Sequence, residues 1–290
     1  MTSNVDATDT VNADLLASGV DALLAGKELD DGLARNLLVS PARTRFIEIV
    51  SEVESRVGAP DLYAGGAAGV LVRWHYGRNA LTLAQEQGVT MSLQQSATLD
   101  AAEAAAFQGG VGTSPGQALN YSELPYLWQV QRDSARDRPG VPPTSDWSQL
   151  EQALQTLLEL WVDQTSLLYE TGWCDEVAFD VTKHSSEDRI LGLLQSADDG
   201  LALFLHDDRA AVDQSDPDDM VARGWQQRIQ QLRAWIASFV PGPDAAVTAA
   251  GIVVRELRLR GADTPLSVSL TALSSTGRNR LRLPGIPLKS

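Results

Sequence analysis

The chain has 290 residues, a formal charge of −15, and 43% apolar against 21% charged residues, a composition ordinary for a folded protein with a sizeable core in one large domain or two small ones. Its acidity argues against non-specific nucleic-acid binding over the whole surface. No apolar run approaches the length of a membrane span, and the one cysteine, Cys174, rules out an internal disulfide.

The opening MTSNVDATDTVNADLL has no basic stretch leading into an apolar one, so a cytoplasmic protein is expected. Lysine occurs only at Lys27, Lys183 and Lys289, and alanine is abundant; this is the bias of a GC-rich bacterial coding sequence.

Residues 1–10 are polar and expected to be disordered. Residues 11–38 read as one or two short helices, with Leu15, Leu16, Val20, Leu23 and Leu24 apolar and Gly26 or Gly32 as breaks. Ser40 and Pro41 then open a helix whose stripe is Phe46, Ile49, Val50, Val53 and Val57, ended by Gly58. After Pro60 the period changes to two. VLVRWHYGRN, ALTLAQEQG and VTMSLQQ predict three strands of an antiparallel meander, with turns near Gly77–Asn79 and Glu86–Gly88.

Residues 99–107 are alanine-rich and predict a helix, GGVGTSPGQ (109–117) a loop, and the aromatic NYSELPYLWQVQ a segment packed back onto the sheet. RDSARDRPGVPPTS (132–145) is the strongest linker signal in the chain.

The most apolar helical pattern follows it. From Asp146 to Gly172, Trp147, Leu150, Leu154, Leu157, Trp161 and Leu168 recur on one face. Thr144, Ser145 and Asp146 offer capping oxygens, and Gly172 is placed for a left-handed C-cap. Beyond it, 177–181 reads as a strand, Ser185–Asp188 as a capping box opening a helix over 189–195, and GLALFLH (200–206) as a buried strand. A helix is expected from Pro217 with the stripe Trp225, Ile229, Leu232, Ile236 and Phe239. From Ile252 onward VVRELRLRG, PLSVSLTALSS and RNRLRLPG alternate and predict strands, and no internal repeat is evident.

These patterns predict an α+β fold: an antiparallel β-meander and a C-terminal β-ribbon with a substantial helical layer. The chain divides into a disordered 1–10, helices plus meander over 11–131, a linker-like 132–145, a helical 146–249 and a basic β-ribbon tail over 250–290. Together these can also form one compact domain.

Motifs that carry chemistry are scarce. Cys174 and His184 stand ten residues apart with no strand–turn–helix elbow between them. The three histidines, His75, His184 and His206, form no ligand pair, so neither a metal nor a cofactor is expected. The acidic DQSDPDD (213–219) lacks the glycine and distal glutamate of a calcium loop and fits a helix start better. GGAAG (65–69) precedes a strand rather than following one, and the loop at 109–117 has no GK[ST], so neither reads as a phosphate cradle.

Charge asymmetry stands out more. In 250–290, seven basic residues face only Glu256 and Asp263, a local charge of +5 against −20 for the rest. On an alternating ribbon, Arg255, Arg258, Arg260, Arg278, Arg280 and Arg282 would present a basic face to a partner; the plainer alternative is a charged edge that discourages aggregation. The expectation is a non-enzymatic interaction or assembly protein of a bacterial cytoplasm, with a protein partner or larger assembly and no assigned catalytic residue. Two alternatives stand beside it: an acid–base enzyme drawing on His184, His206, Asp207 and Asp208, and a polyanion or nucleic-acid binder using the arginine ribbon.

Overall fold

The computed structural model describes residues 11–26, 37–66, 69–85, 87–110, 126–130, 144–170, 176–183, 189–196, 200–206, 216–273 and 279–282. In chain order these form α1 (Ala13–Ala25), β1 (Leu37–Ser40), α2 (Phe46–Val57), β2 (Leu62–Gly66), β3 (Gly69–Tyr76), β4 (Asn79–Gln85), β5 (Val89–Gln95), α3 (Ser96–Gly110) and β6 (Tyr126–Val130). Then follow α4 (Trp147–Glu170), β7 (Glu176–Lys183), β8 (Arg189–Ser196), β9 (Gly200–His206), α5 (Pro217–Ala222), β10 (Gln227–Ile229), β11 (Ala234–Phe239), α6 (Pro243–Leu259), β12 (Val268–Leu273) and β13 (Asn279–Arg282). The class is α+β, with every described strand pairing antiparallel.

The three strands expected after Pro60 form as β3, β4 and β5, and Leu62–Gly66, not expected as a strand, adds β2 to the same antiparallel meander. In β4 the successive residues Asn79 to Leu83 are all buried. Since neighbours on a strand point to opposite faces, both faces of the meander's middle are covered. Helix α1 lies against β4 and β5, and α4 against β2 and β3. The tight β2–β3 corner depends on Gly69, at φ +132°; a Cβ there would sit 1.8 Å from the Gln85 carbonyl oxygen.

The strands form two sheets, ordered β1-β5-β4-β3-β2-β6-β13 and β10-β11-β9-β8-β7-β12. Each contains the same path. A helix (α2 or α4) leads into four meandering strands (β2-β3-β4-β5 or β7-β8-β9-β11), and a second helix (α3 or α6) returns a strand (β6 or β12) to pair beside the first of the four. The chain is therefore a topological duplication, which the sequence does not show as a repeat. The second copy differs by the insertion of α5 and β10 between its third and fourth strands.

Helix α4 matches the central pattern closely. Leu150, Ala153, Leu154, Leu157, Leu158, Trp161 and Gln164 are buried at helical spacing. Asp146 is its N-cap, accepting from the backbone of Ser148 at 2.9 Å and Gln149 at 3.0 Å. The helix packs on α6 and on strands of both sheets. It is the seam between the two copies.

Several expected elements take a different form. Residues 189–195, expected helical, are strand β8 between β7 and β9; Ile190 to Leu193 are buried in succession, as in a strand covered on both faces. The helix from Pro217 stops at Ala222, because Gly224 turns the chain at φ +96° into the β10–β11 hairpin. Trp225, Ile229, Leu232, Ile236 and Phe239 share helical spacing by coincidence; Ala234 to Phe239 instead pair with β9. The alternation VVRELRLRG lies in α6, started by Pro243 at its first turn, with Ala246, Ala249, Ala250, Val253 and Leu257 buried. Leu37 and Leu38, read as a helix end, open β1. The aromatic segment near 126 joins the sheet as β6 beside β2.

The tail is no single ribbon. Strands over 268–273 and 279–282 do form, but β12 pairs with β7 in the second sheet and β13 with β6 in the first. Of the loop expected over 109–117, Gly109 and Gly110 end α3 instead; its remainder, the polar 1–10 and most of the linker at 132–145 lie outside the described residues.

Candidate partner-binding surface

The six arginines separate onto different elements. Arg255 and Arg258 are exposed near the C-terminal end of α6, and Arg260 is half-buried just beyond it. Arg280 and Arg282 lie at alternate positions of β13, opposite Gln129 and Leu127, on the edge of the other sheet. Arg278 lies outside the described residues. The continuous arginine face expected from an alternating strand is therefore replaced by the end of a helix and a separate sheet edge.

Arg255 is partly committed to holding the fold. Its Nη2 donates to the carbonyl of Arg223, and its Nε stands 3.9 Å from Glu256 Oε1. Glu256 is fully buried on the inward side of α6, and it gathers a polar cluster that pins α5 and the start of β10 to that helix. Arg223 Nε donates to Oε1 at 3.0 Å, Arg223 Nη2 to Oε2, and the Trp225 indole to Oε1 at 3.2 Å. Arg223 also reaches Asp219 at 3.2 Å. Burial of Arg223 opposes its charge, but bonding to Glu256, then Asp219, outweighs this and holds its pKa above the ordinary arginine value. Little in the local pattern signals this cluster beyond one glutamate set in an apolar stretch, and nothing signals Arg223.

Arg258 has no ion-pair partner among the described residues. Leu259 next to it is 62% exposed, and Leu266, in the short turn Pro265–Ser267, is 45% exposed. A large aliphatic side chain left in water beside a cation that no described carboxylate holds suits a contact surface.

The neighbouring helix presents the opposite charge. Helix α4 carries no lysine or arginine, while Glu151, Glu159, Asp163 and Glu170 are exposed. Gln155 Nε2 donates to Glu159 Oε1 at 2.8 Å, and no described cation reaches these four acids. The Trp147 indole donates to the Asp263 carbonyl at 3.3 Å, and Glu151 Oε1 lies 3.4 Å from where a Cβ on Gly251 would stand. These two contacts set the start of α4 against the middle of α6 and the segment that follows it.

The enzyme alternative is placed only in part. His206 ends β9, paired with Ala234; His184, Asp207, Asp208 and Cys174 lie outside the described residues. Among the described residues no three histidine, cysteine, aspartate or glutamate side chains gather as for a metal ion, and no helix is long and apolar enough to cross a membrane. An unexpected carboxylate–histidine contact lies on the meander. Asp61 Oδ2 accepts from the His75 backbone at 2.6 Å, and the His75 ring Nδ1 is 3.7 Å from the same oxygen. The backbone bond gives Asp61 a role in fixing the start of β2 against β3.

The acidic run before α5 acts as its composition suggested. Asp216 caps the helix by accepting from Asp218 N at 3.0 Å, Pro217 takes the first position, and Asp218 and Asp219 fill the first turn. Compared with protein-family models and with curated proteins, the chain matches none.

Proposed function

We propose that this is a non-enzymatic interaction or assembly protein of a bacterial cytoplasm, working through the exposed end of α6. The observation that carries this reading is Leu259, 62% exposed, beside Arg258, which no described carboxylate pairs, on a chain that is otherwise strongly acidic. Arginine is enriched at interfaces, where its planar guanidinium can pair and stack, and covering an exposed large apolar side chain there is favourable.

The polyanion alternative draws less support. It relied on six arginines on one ribbon, whereas α6 and β13 divide them and Arg255 is tied to Arg223 and Glu256.

The test is capture under native conditions, with quantitative mass spectrometry of what the chain retains from cells that express it. Leu259→Asp with Arg258→Glu should remove a specific retained protein while circular dichroism and the melting temperature stay near those of the parent. An unchanged set of captured proteins would sink the assignment to this surface. Binding to heparin or single-stranded DNA that falls steeply with salt and needs Arg258 would favour the polyanion alternative instead.

A further inference from the structure

We draw no further inference here: the strongest candidate, the outer edge of β12, which has no strand beside it among the described residues although the matching β6 has β13 there, carries nothing because Val268 and Leu270 on it are already buried and nothing in the structure shows what covers them.

Discussion

Breaking the Arg223–Glu256 pair tests how α6 is held against the inserted hairpin. Glu256 is fully buried and Arg223 is 22% exposed, with two of the arginine's donors on the carboxylate. Arg223→Met leaves the buried carboxylate with the Trp225 indole and a distant Arg255 Nε at 3.9 Å. Stranding one member of a buried pair costs roughly 3–5 kcal/mol, and because Arg223 keeps some solvent contact the expected loss is near the lower figure. Glu256→Gln should cost less, about 1–3 kcal/mol, since the amide oxygen still accepts from Trp225 and the stranded cation keeps both solvent and Asp219. Combining the two should cost less than the sum, with a coupling of about 1–3 kcal/mol. Urea denaturation read by tryptophan fluorescence and by far-UV circular dichroism gives the numbers, provided the slope is unchanged between variants. A cost below about 0.5 kcal/mol for Arg223→Met, or a larger loss for Glu256→Gln than for Arg223→Met, would refute the view that the buried carboxylate depends on Arg223.

Three further outcomes follow from local geometry. The Asp146 carboxyl is held below its ordinary pKa by the Ser148 hydroxyl and then by the Gln149 N–H, so its folded value lies below its unfolded one. Its contribution is present above the ordinary carboxylate range and lost as pH falls through the folded value. The stability difference between the parent and Asp146→Ala should therefore close on acidification, as thermal melts across pH would show. Gly69→Ala should destabilise by about 1–3 kcal/mol from its backbone conformation alone, and further from the clash with Gln85 O, measured by chemical denaturation. Arg233 closes the β10–β11 turn at φ +49°, a conformation costly for a side chain. Arg233→Gly should stabilise by about 0.5 kcal/mol, after allowing for the greater unfolded-state freedom of glycine, and a clear loss in the same assay would show that the side chain earns its strain.

The meander and α4 were legible in the sequence because local pattern and tertiary role agree there. Val70, Val72 and Trp74 alternate and are buried together, and the α4 stripe repeats at helical spacing and faces the core. The pattern misled where tertiary placement overrode the period. In β8 the run RILGLLQS sits between two strands and is covered on both faces, so alternation is absent and the preceding Ser185–Asp188 suggested a helix. In α6 the alternating arginines reflect only the spacing of exposed positions near a helix end, while the alanines before them, small enough for close packing on α4, carry little hydrophobic signal. The same error created the arginine ribbon: Arg258 lies near the end of α6, whereas Arg280 and Arg282 belong to a strand of the first sheet. The Glu256 cluster depends on a contact 33 residues apart in sequence, which no local pattern encodes.

The duplication gives α4 a role that neither copy has alone. It opens the second copy, as α2 opens the first, yet it also packs on β2 and β3 of the first sheet while meeting β8 and α6 of the second. Strand β13 ties the ends together further, since it leaves the second copy and completes the first sheet. Two modules linked only by a flexible connection would unfold in two steps, whereas a shared buried helix makes each depend on the other. Leu158, fully buried on α4, is the place to ask. Leu158→Ala should cost about 2–5 kcal/mol and lower the midpoint of one calorimetric transition without dividing it. Two resolved transitions in the variant, one of them unmoved from the parent, would show that the copies are stable separately and that α4 joins them without coupling them.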